Sequence, residues 1–295
     1  MIASSLLRIG PLAVALLAGT AAHADTRFGG QGKLLLTGGV SSIDGAAGGG
    51  LGPWAVIGSP ATEGEVGATA HLTRARTQDY ALTTWGVALG WNDRVEVSLA
   101  RQAFDAGVVV SQAVLRQTIV GAKLRVAGDA ILESDSWMPQ LAIGVESRRL
   151  DPGIAVGNVL DAVGAKRHGL DVYASATKLF LSTGVLVNGT LRATQANQNG
   201  LLGYGATDHK NVHAEPELSV AKLLRRNLAI GAEYRSKPDN LAFAGAAFRE
   251  DDWKDVFIAW APAKQLSLTL AWVDLGNIVG HKGQRGAYLS LQAAL

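Results

Sequence analysis

Cysteine is absent from the 295 residues. That excludes disulfide scaffolds, thiolate metal sites, cysteine nucleophiles and cysteine-anchored lipoproteins. Charge is scarce at 18%, below the roughly 25% usual in soluble domains. Neither sign dominates: 27 Lys and Arg against 25 Asp and Glu leave a formal charge of +2, too little for a dedicated nucleic-acid binder. Catalytic signatures are missing too. No Gly-x-Ser-x-Gly or His-Glu-x-x-His occurs, and no Gly-Lys-Ser/Thr follows the glycine-rich run 45–52. No catalytic residue, metal site or cofactor is assigned from the sequence.

Hydrophobic residues make up 48% and glycine 36 positions. The first 24 residues read as a cleaved secretory signal. Arg8 supplies the positive start, Ile9 to Gly19 form a short apolar stretch, and Ala22-His23-Ala24 is a small-x-small cleavage site. Removing Arg8 leaves 26 basic against 25 acidic residues. No later apolar stretch reaches the ~18 residues of a transmembrane helix, so the mature chain is expected to be exported without one.

From residue 65 onward the pattern has period two, as in Leu266-Ser-Leu-Thr-Leu-Ala-Trp272. It predicts strands at about 65–75, 78–91, 94–104, 113–127, 139–149, 169–181, 184–195, 213–223, 227–236, 252–261, 266–275 and 286–294, many near the 9–11 residues that cross a membrane when tilted. Tight turns at Asn92-Asp93, 182–184, 224–227 and 262–265 alternate with longer polar loops at 105–112, 150–168, 196–212, 237–251 and 276–285. Short periplasmic turns alternating with long external loops mark an outer-membrane barrel. The stretch 128–138 breaks the alternation, and strand 169–181 cannot be oriented because Lys178 and Phe180 share parity. The fold expected is an all-β transmembrane antiparallel barrel of about twelve strands.

Folding the chain about Ala263-Lys264 sets Trp260, Ile258 and Val256 opposite Leu266, Leu268 and Leu270, an all-apolar outer face. Folding about Arg225-Arg226 sets Glu215 opposite Arg235 and Glu217 opposite Glu233 on the other face. A basic residue facing lipid at the midplane would cost roughly 2–4 kcal/mol. Arg192, Glu215, Glu217, Glu233, Arg235, Asp255 and Asp274 are therefore the candidate pore-lining residues, with acidic excess favouring cations. Trp260 and Trp272, at opposite ends of neighbouring strands, fit the two membrane interfaces.

Residues 25–64 form a separate unit ahead of the barrel at 65–295. Ten glycines fall between Gly29 and Gly52. Glycine permits close backbone approach in a narrow lumen, which makes Gly38, Gly39, Gly48, Gly49 and Gly50 candidates for a plug; a flexible periplasmic linker is the other reading. His209 and His213 have the spacing of a helical metal pair but sit in a predicted loop, and His71 reads as a lumen histidine.

Six segments resemble the domain of unknown function 3034 family of proteobacterial outer-membrane proteins: Lys33 to Ser59 (KLLLTGGVSSIDGAAGGGLGPWAVIGS), Asp135 to Gln140, Leu191 to Gln198, Gly231 to Asn240, Glu250 to Pro262 and Leu268 to Val279. The resemblance implies an outer-membrane β-barrel with no established activity. Outer-membrane barrels generally end in an aromatic residue read by the assembly machinery, whereas this chain ends Gln292-Ala-Ala-Leu295, which predicts slower assembly. The partners expected are outer-membrane lipid, the barrel-assembly machinery and a small-molecule solute. The leading function is a channel or transporter for a small solute or lipid-like molecule; the alternatives are a barrel enzyme acting on envelope lipid and a structural or surface-interaction barrel.

Overall fold

A computed structural model describes residues 27–28, 32–33, 35–128 and 137–295. The expected leader, Gly29, Gly30 and most of the irregular 128–138 connection lie outside the described residues.

Three two-residue strands come first: β1 (Arg27–Phe28), β2 (Val40–Ser41) and β3 (Ala47–Gly48). Twelve long strands follow: β4 (Glu65–Thr77), β5 (Ala81–Trp91), β6 (Val95–Asp105), β7 (Val114–Ala127), β8 (Gln140–Asp151), β9 (His168–Phe180), β10 (Val185–Thr194), β11 (His213–Arg225), β12 (Leu228–Arg235), β13 (Trp253–Ala263), β14 (Leu266–Asp274) and β15 (Arg285–Ala294). Each pairs antiparallel with its chain neighbours, and β15 pairs with β4, from Gly286 opposite Thr77 to Ala294 opposite Thr69. Reciprocal bonds between Leu295 and Ala68 finish the seam. Closure leaves no edge, so every strand meets its backbone partners without help from lipid.

Side chains alternate between two environments. Along β13, Trp253, Asp255, Phe257, Ala259 and Ala261 are buried while Lys254, Val256, Ile258 and Trp260 are exposed. The exposed set is apolar over most of the wall, with Leu72, Val87, Leu218, Val220 and Leu270 beside them. Apolar groups outside and polar groups inside reverse the order of a water-soluble barrel and match one sitting in hydrocarbon. Trp91 and Trp260 project outward near the short-turn end and Trp272 near the long-loop end, where indoles suit the polar-apolar boundary.

Two hairpin registers differ from those expected. Val256, Ile258 and Trp260 face Trp272, Leu270 and Leu268, and Ala263 faces Leu266, because an irregularity lies between Trp260 and Ala263. A similar shift between Leu223 and Arg225 sets Glu217 opposite Arg235 and Ser219 opposite Glu233. Each slip is two residues, so the faces are kept. β9 is oriented by Asp171, Tyr173, Ser175 and Thr177, all buried. Lys178 points outward near the strand's end and reaches the Met138 carbonyl at 3.3 Å, a snorkelling arrangement.

Ile258 sits mid-strand on the lipid face. Ile258→Arg should lower the unfolding free energy in bilayers by roughly 2–4 kcal/mol, and Lys254→Arg at the strand end by under about 1. Urea titration in liposomes, followed by gel mobility of unboiled samples, measures both.

Candidate functional site

The lumen is filled by the chain's own glycine-rich segment. Residues 35–64 enter from the short-turn end, turn back through the β2–β3 hairpin, and return to β4. Every residue from Val40 to Ser59 is buried. Val40 pairs with Gly48 and Ser41 with Ala47, and the tip is closed by Ser42 N–H to the Ala46 carbonyl at 3.0 Å. Glycine is required where this chain touches the wall. A Cβ on Gly49 would collide with the Glu233 carboxylate, and Gly39 has a φ of +71°, which L side chains rarely adopt. Gly48 abuts the Gly52 carbonyl, Gly50 lies against Glu233 and Tyr288, and Gly38 sits at the base near Ser59.

Asp44, at the hairpin tip, is the centre of a buried ion layer. Its Oδ1 and Oδ2 accept from Arg148 Nη1 at 3.0 Å and Nη2 at 2.9 Å, and its Oδ2 meets Arg235 Nη1 at 2.8 Å. Wall carboxylates engage the same guanidiniums. Glu146 binds Arg148 at 2.5 Å and Arg192 at 2.7 Å, Asp171 binds Arg148 at 3.0 Å, and Glu217 binds Arg192 at 2.5 Å and Arg235 at 3.4 Å. From the other end, the loop after β10 dips into the barrel. Gln198 and Asn199 take positive φ of 44° and 57°, and the Asn199 amide bridges Asp44, Arg148 and Arg235 at 2.7–2.9 Å.

Below this layer the segment is held by one ion pair and by hydrogen bonds, most of them to charged side chains of the wall. Lys123 and Glu96 are 3.1 Å apart. The ammonium donates to the Ala47 and Val56 carbonyls at 2.7 and 2.8 Å, while the carboxylate accepts from Ala47 and Gly58 N–H at 3.0 and 2.7 Å. Trp54 Nε1 donates to Ser219 at 3.0 Å, and Leu51 N–H to Glu233 at 2.9 Å.

Six of the seven sequence-chosen charges, Arg192, Glu215, Glu217, Glu233, Arg235 and Asp255, are buried on the inner face. The expected opposition of Glu215 to Arg235 is replaced by Glu215 opposite Arg192, and the like-charge pair is Glu233 with Asp255 rather than Glu217 with Glu233. Asp274 is not among them. Buried residues of β14 are Thr269, Ala271 and Val273, so Asp274 has the outer parity, and at the strand's end it pairs with Arg285 at 2.9 Å. Sequence reasoning missed Asp44, Glu96, Lys123, Glu146, Arg148, Asp171 and Asn199. The inward parity of Glu146 with Arg148, two apart in one strand, was an available signal; Asp44 had none.

Above the ion layer, toward the long-loop end, lies an apolar chamber of about 200 Å³. Its floor includes Ile43 and Leu51 from the plug tip. Its roof includes Val156 and Leu160 of the helix Gly153–Ala162, within the 150–168 loop, and Leu201 and Leu202 of the inward loop. Gln198 locks this roof: its N–H donates to both Glu250 oxygens at 2.8 and 2.9 Å, and its side chain bonds Lys237 and the Asn277 carbonyl. Burial pushes the Glu250 carboxyl up to about 7, against the pull of the Lys237 ammonium and the Gln198 N–H, and burial pushes the Lys237 ammonium down.

His71 is buried in the lumen wall, and its Nε2 meets no hydrogen-bond partner among the described residues. His209 stacks on Phe243 at 5.1 Å.

A closed twelve-stranded barrel with an apolar outer band and a polar, filled interior has the architecture of an outer-membrane barrel protein. The family model described as "Protein of unknown function (DUF3034)" matches residues 37–292, and the chain belongs to that family. No curated protein matches the sequence. Among solved structures the chain is similar in shape to the KdgM porin (9% identity, 76% of this chain and 98% of that one, TM-score 0.49). It is also similar to an outer membrane channel from Pseudomonas putida F1 (13%, 78% and 94%, 0.46) and to the outer membrane phospholipase A of Escherichia coli (8%, 77% and 91%, 0.42). Such likeness is one of fold.

Two outcomes follow from this geometry. Asp44→Ala removes one partner of a buried ion cluster, a loss of about 3–5 kcal/mol. It should free the plug rather than unfold the barrel, so limited proteolysis should cut between 40 and 58 while the strands stay intact. A roof closed over Glu250 holds a proton that a solvated carboxyl releases near its ordinary 4.5. The roof is then most stable below that value and loosens as pH rises through about 7. Amide protection across 195–205 should be lower at about pH 8 than at about pH 5, and Glu250→Gln should flatten the difference.

Proposed function

We propose that this protein is an outer-membrane channel or transporter for a small solute, and that residues 25–64 are a unit distinct from the barrel at 65–295, with residues 35–64 acting as its gate. One observation carries the reading: beside the packing of Ile43, Leu51, Trp54 and Val56, the segment filling the lumen is tied to the wall by a series of hydrogen bonds and ion pairs. Water can take over polar contacts, at a net cost of about 1 kcal/mol for an uncharged hydrogen bond and about 1.5–3 for one to a charged group, so a plug held in this way can leave and return.

With the plug displaced, the wall presents Glu96, Glu146, Asp171, Glu215, Glu217, Glu233 and Asp255 against Lys123, Arg125, Arg148, Arg192 and Arg235. A path lined by that excess favours cations. The signal-like start of the sequence and the lipid-facing band support export to the outer membrane, with assembly by the barrel machinery and lipid as neighbour. An envelope-lipid hydrolase and a purely structural barrel are the alternatives. Phospholipid cleavage by the pure protein would favour the first, and loop deletions that abolish a phenotype without altering conductance the second.

Planar-bilayer recording tests the proposal. The intact protein should conduct little, and deletion of residues 29–60 should give a steady current with cation-selective reversal potential, weakened by Glu217→Gln with Glu233→Gln. Unchanged conductance after the deletion, with heat-dependent gel mobility retained, would show that the segment does not gate the lumen.

A further inference from the structure

The chamber above the plug differs chemically from the ion layer beneath it. Around it stand Phe104, Leu115, Leu160, Leu202, Val273 and Ile278, and no charged side chain lines it. Most polar groups on its lining residues are engaged, the exceptions among the described residues being Trp253 Nε1 and Tyr288 OH. Tyr80 OH donates to the Ile278 carbonyl at 2.8 Å, Thr77 Oγ1 to Gln284 at 2.7 Å, and the Gln198 amide is held by Lys237 and Asn277. A charged or multiply hydroxylated guest would lose its water for at most those two partners, at a few kcal/mol for each group left unpaired. An apolar one gains about 25 cal/mol for each Å² it hides.

Size narrows the class further. A dry protein cavity of about 150 Å³ lined by aliphatic side chains takes up benzene; this one, at about 200 Å³, has room for a substituted benzene or two fused rings. An approach exists. Val109 and Val159 line the chamber and are 44% and 45% exposed, so its apolar wall reaches the surface between the 106–113 loop and the helix.

We infer that the chamber is a binding site for a small uncharged apolar compound of one or two rings, resting on the plug tip before passage. The inference deepens the proposed channel function by naming its solute class, and rests on that function only for the direction of travel.

Equilibrium binding of naphthalene tests it with the plug in place, using the full-length protein in lipid nanodiscs and empty nanodiscs as reference. Saturable binding of one molecule per barrel is expected. Val156→Trp, which fills the chamber from the external helix, and Leu202→Lys, which places a charge in it, should each weaken binding about tenfold or more, with gel mobility of the barrel unchanged. Glucose at large excess should not compete. Uptake that never saturates, or that is the same in both variants, would be partition into lipid and would overturn the site. Failure of naphthalene to bind while plug deletion still opens a current would defeat this inference alone. Saturable binding without any current after plug deletion would defeat the channel reading alone.

Discussion

Two guanidiniums converge on a carboxylate that does not belong to the barrel wall. Arg148 and Arg235 both bond Asp44, and Arg192 lies 4.0 Å from it. Around them, Glu146, Asp171 and Glu217 balance three positive charges with three negative ones on the wall itself. Asp44 adds a fourth carboxylate from the plug and draws in the Asn199 amide from the opposite end. The position of the plug and the inward fold of the loop after β10 meet at this one side chain. Buried ion pairs seldom add net stability over an apolar filling; what this one supplies is a single register for a glycine-rich chain that has few side chains of its own to specify one.

The same economy explains the division of the lumen into layers. The wall must be apolar outside, so charge that the sequence carries at alternate strand positions is collected inside. Twelve strands enclose more space than inward side chains alone fill, and residues 35–64 occupy the remainder. Where the plug ends, at Ile43 and Leu51, the lining turns apolar beneath the loop roof, and the buried charges at that end, Lys237 and Glu250, pair with each other. The chamber is thus a consequence of the plug's height in the barrel.

Strand number, limits and the outer face were legible because period-two alternation is a local property: from β4 to β15 each strand lies within a few residues of its expected position. Pairing partners were less so. Irregularities at Leu223/Arg225 and Trp260/Ala263 displace the ladders by two residues without changing any face, and residue type does not announce them. β9 was ambiguous because Lys178, at its short-turn end, shows outward parity although polar, while Asp171, Tyr173, Ser175 and Thr177 mark the inner face plainly. Asp44 lies in a run with no periodicity, and Gln195-Ala-Asn-Gln-Asn-Gly200 reads as an exposed loop until the left-handed turn at Gln198 and Asn199 is seen. Long-range contacts of that kind leave no local trace.

Amide hydrogen exchange of residues 40–58 in the bilayer-embedded protein tests the central claim, that Asp44 holds this segment inside the lumen. Wild-type protein should protect the segment as strongly as the flanking strands, and Asp44→Asn should abolish that protection while leaving β4 to β15 unchanged. A segment that exchanges freely in the wild type, or that stays equally protected in Asp44→Asn, would contradict it.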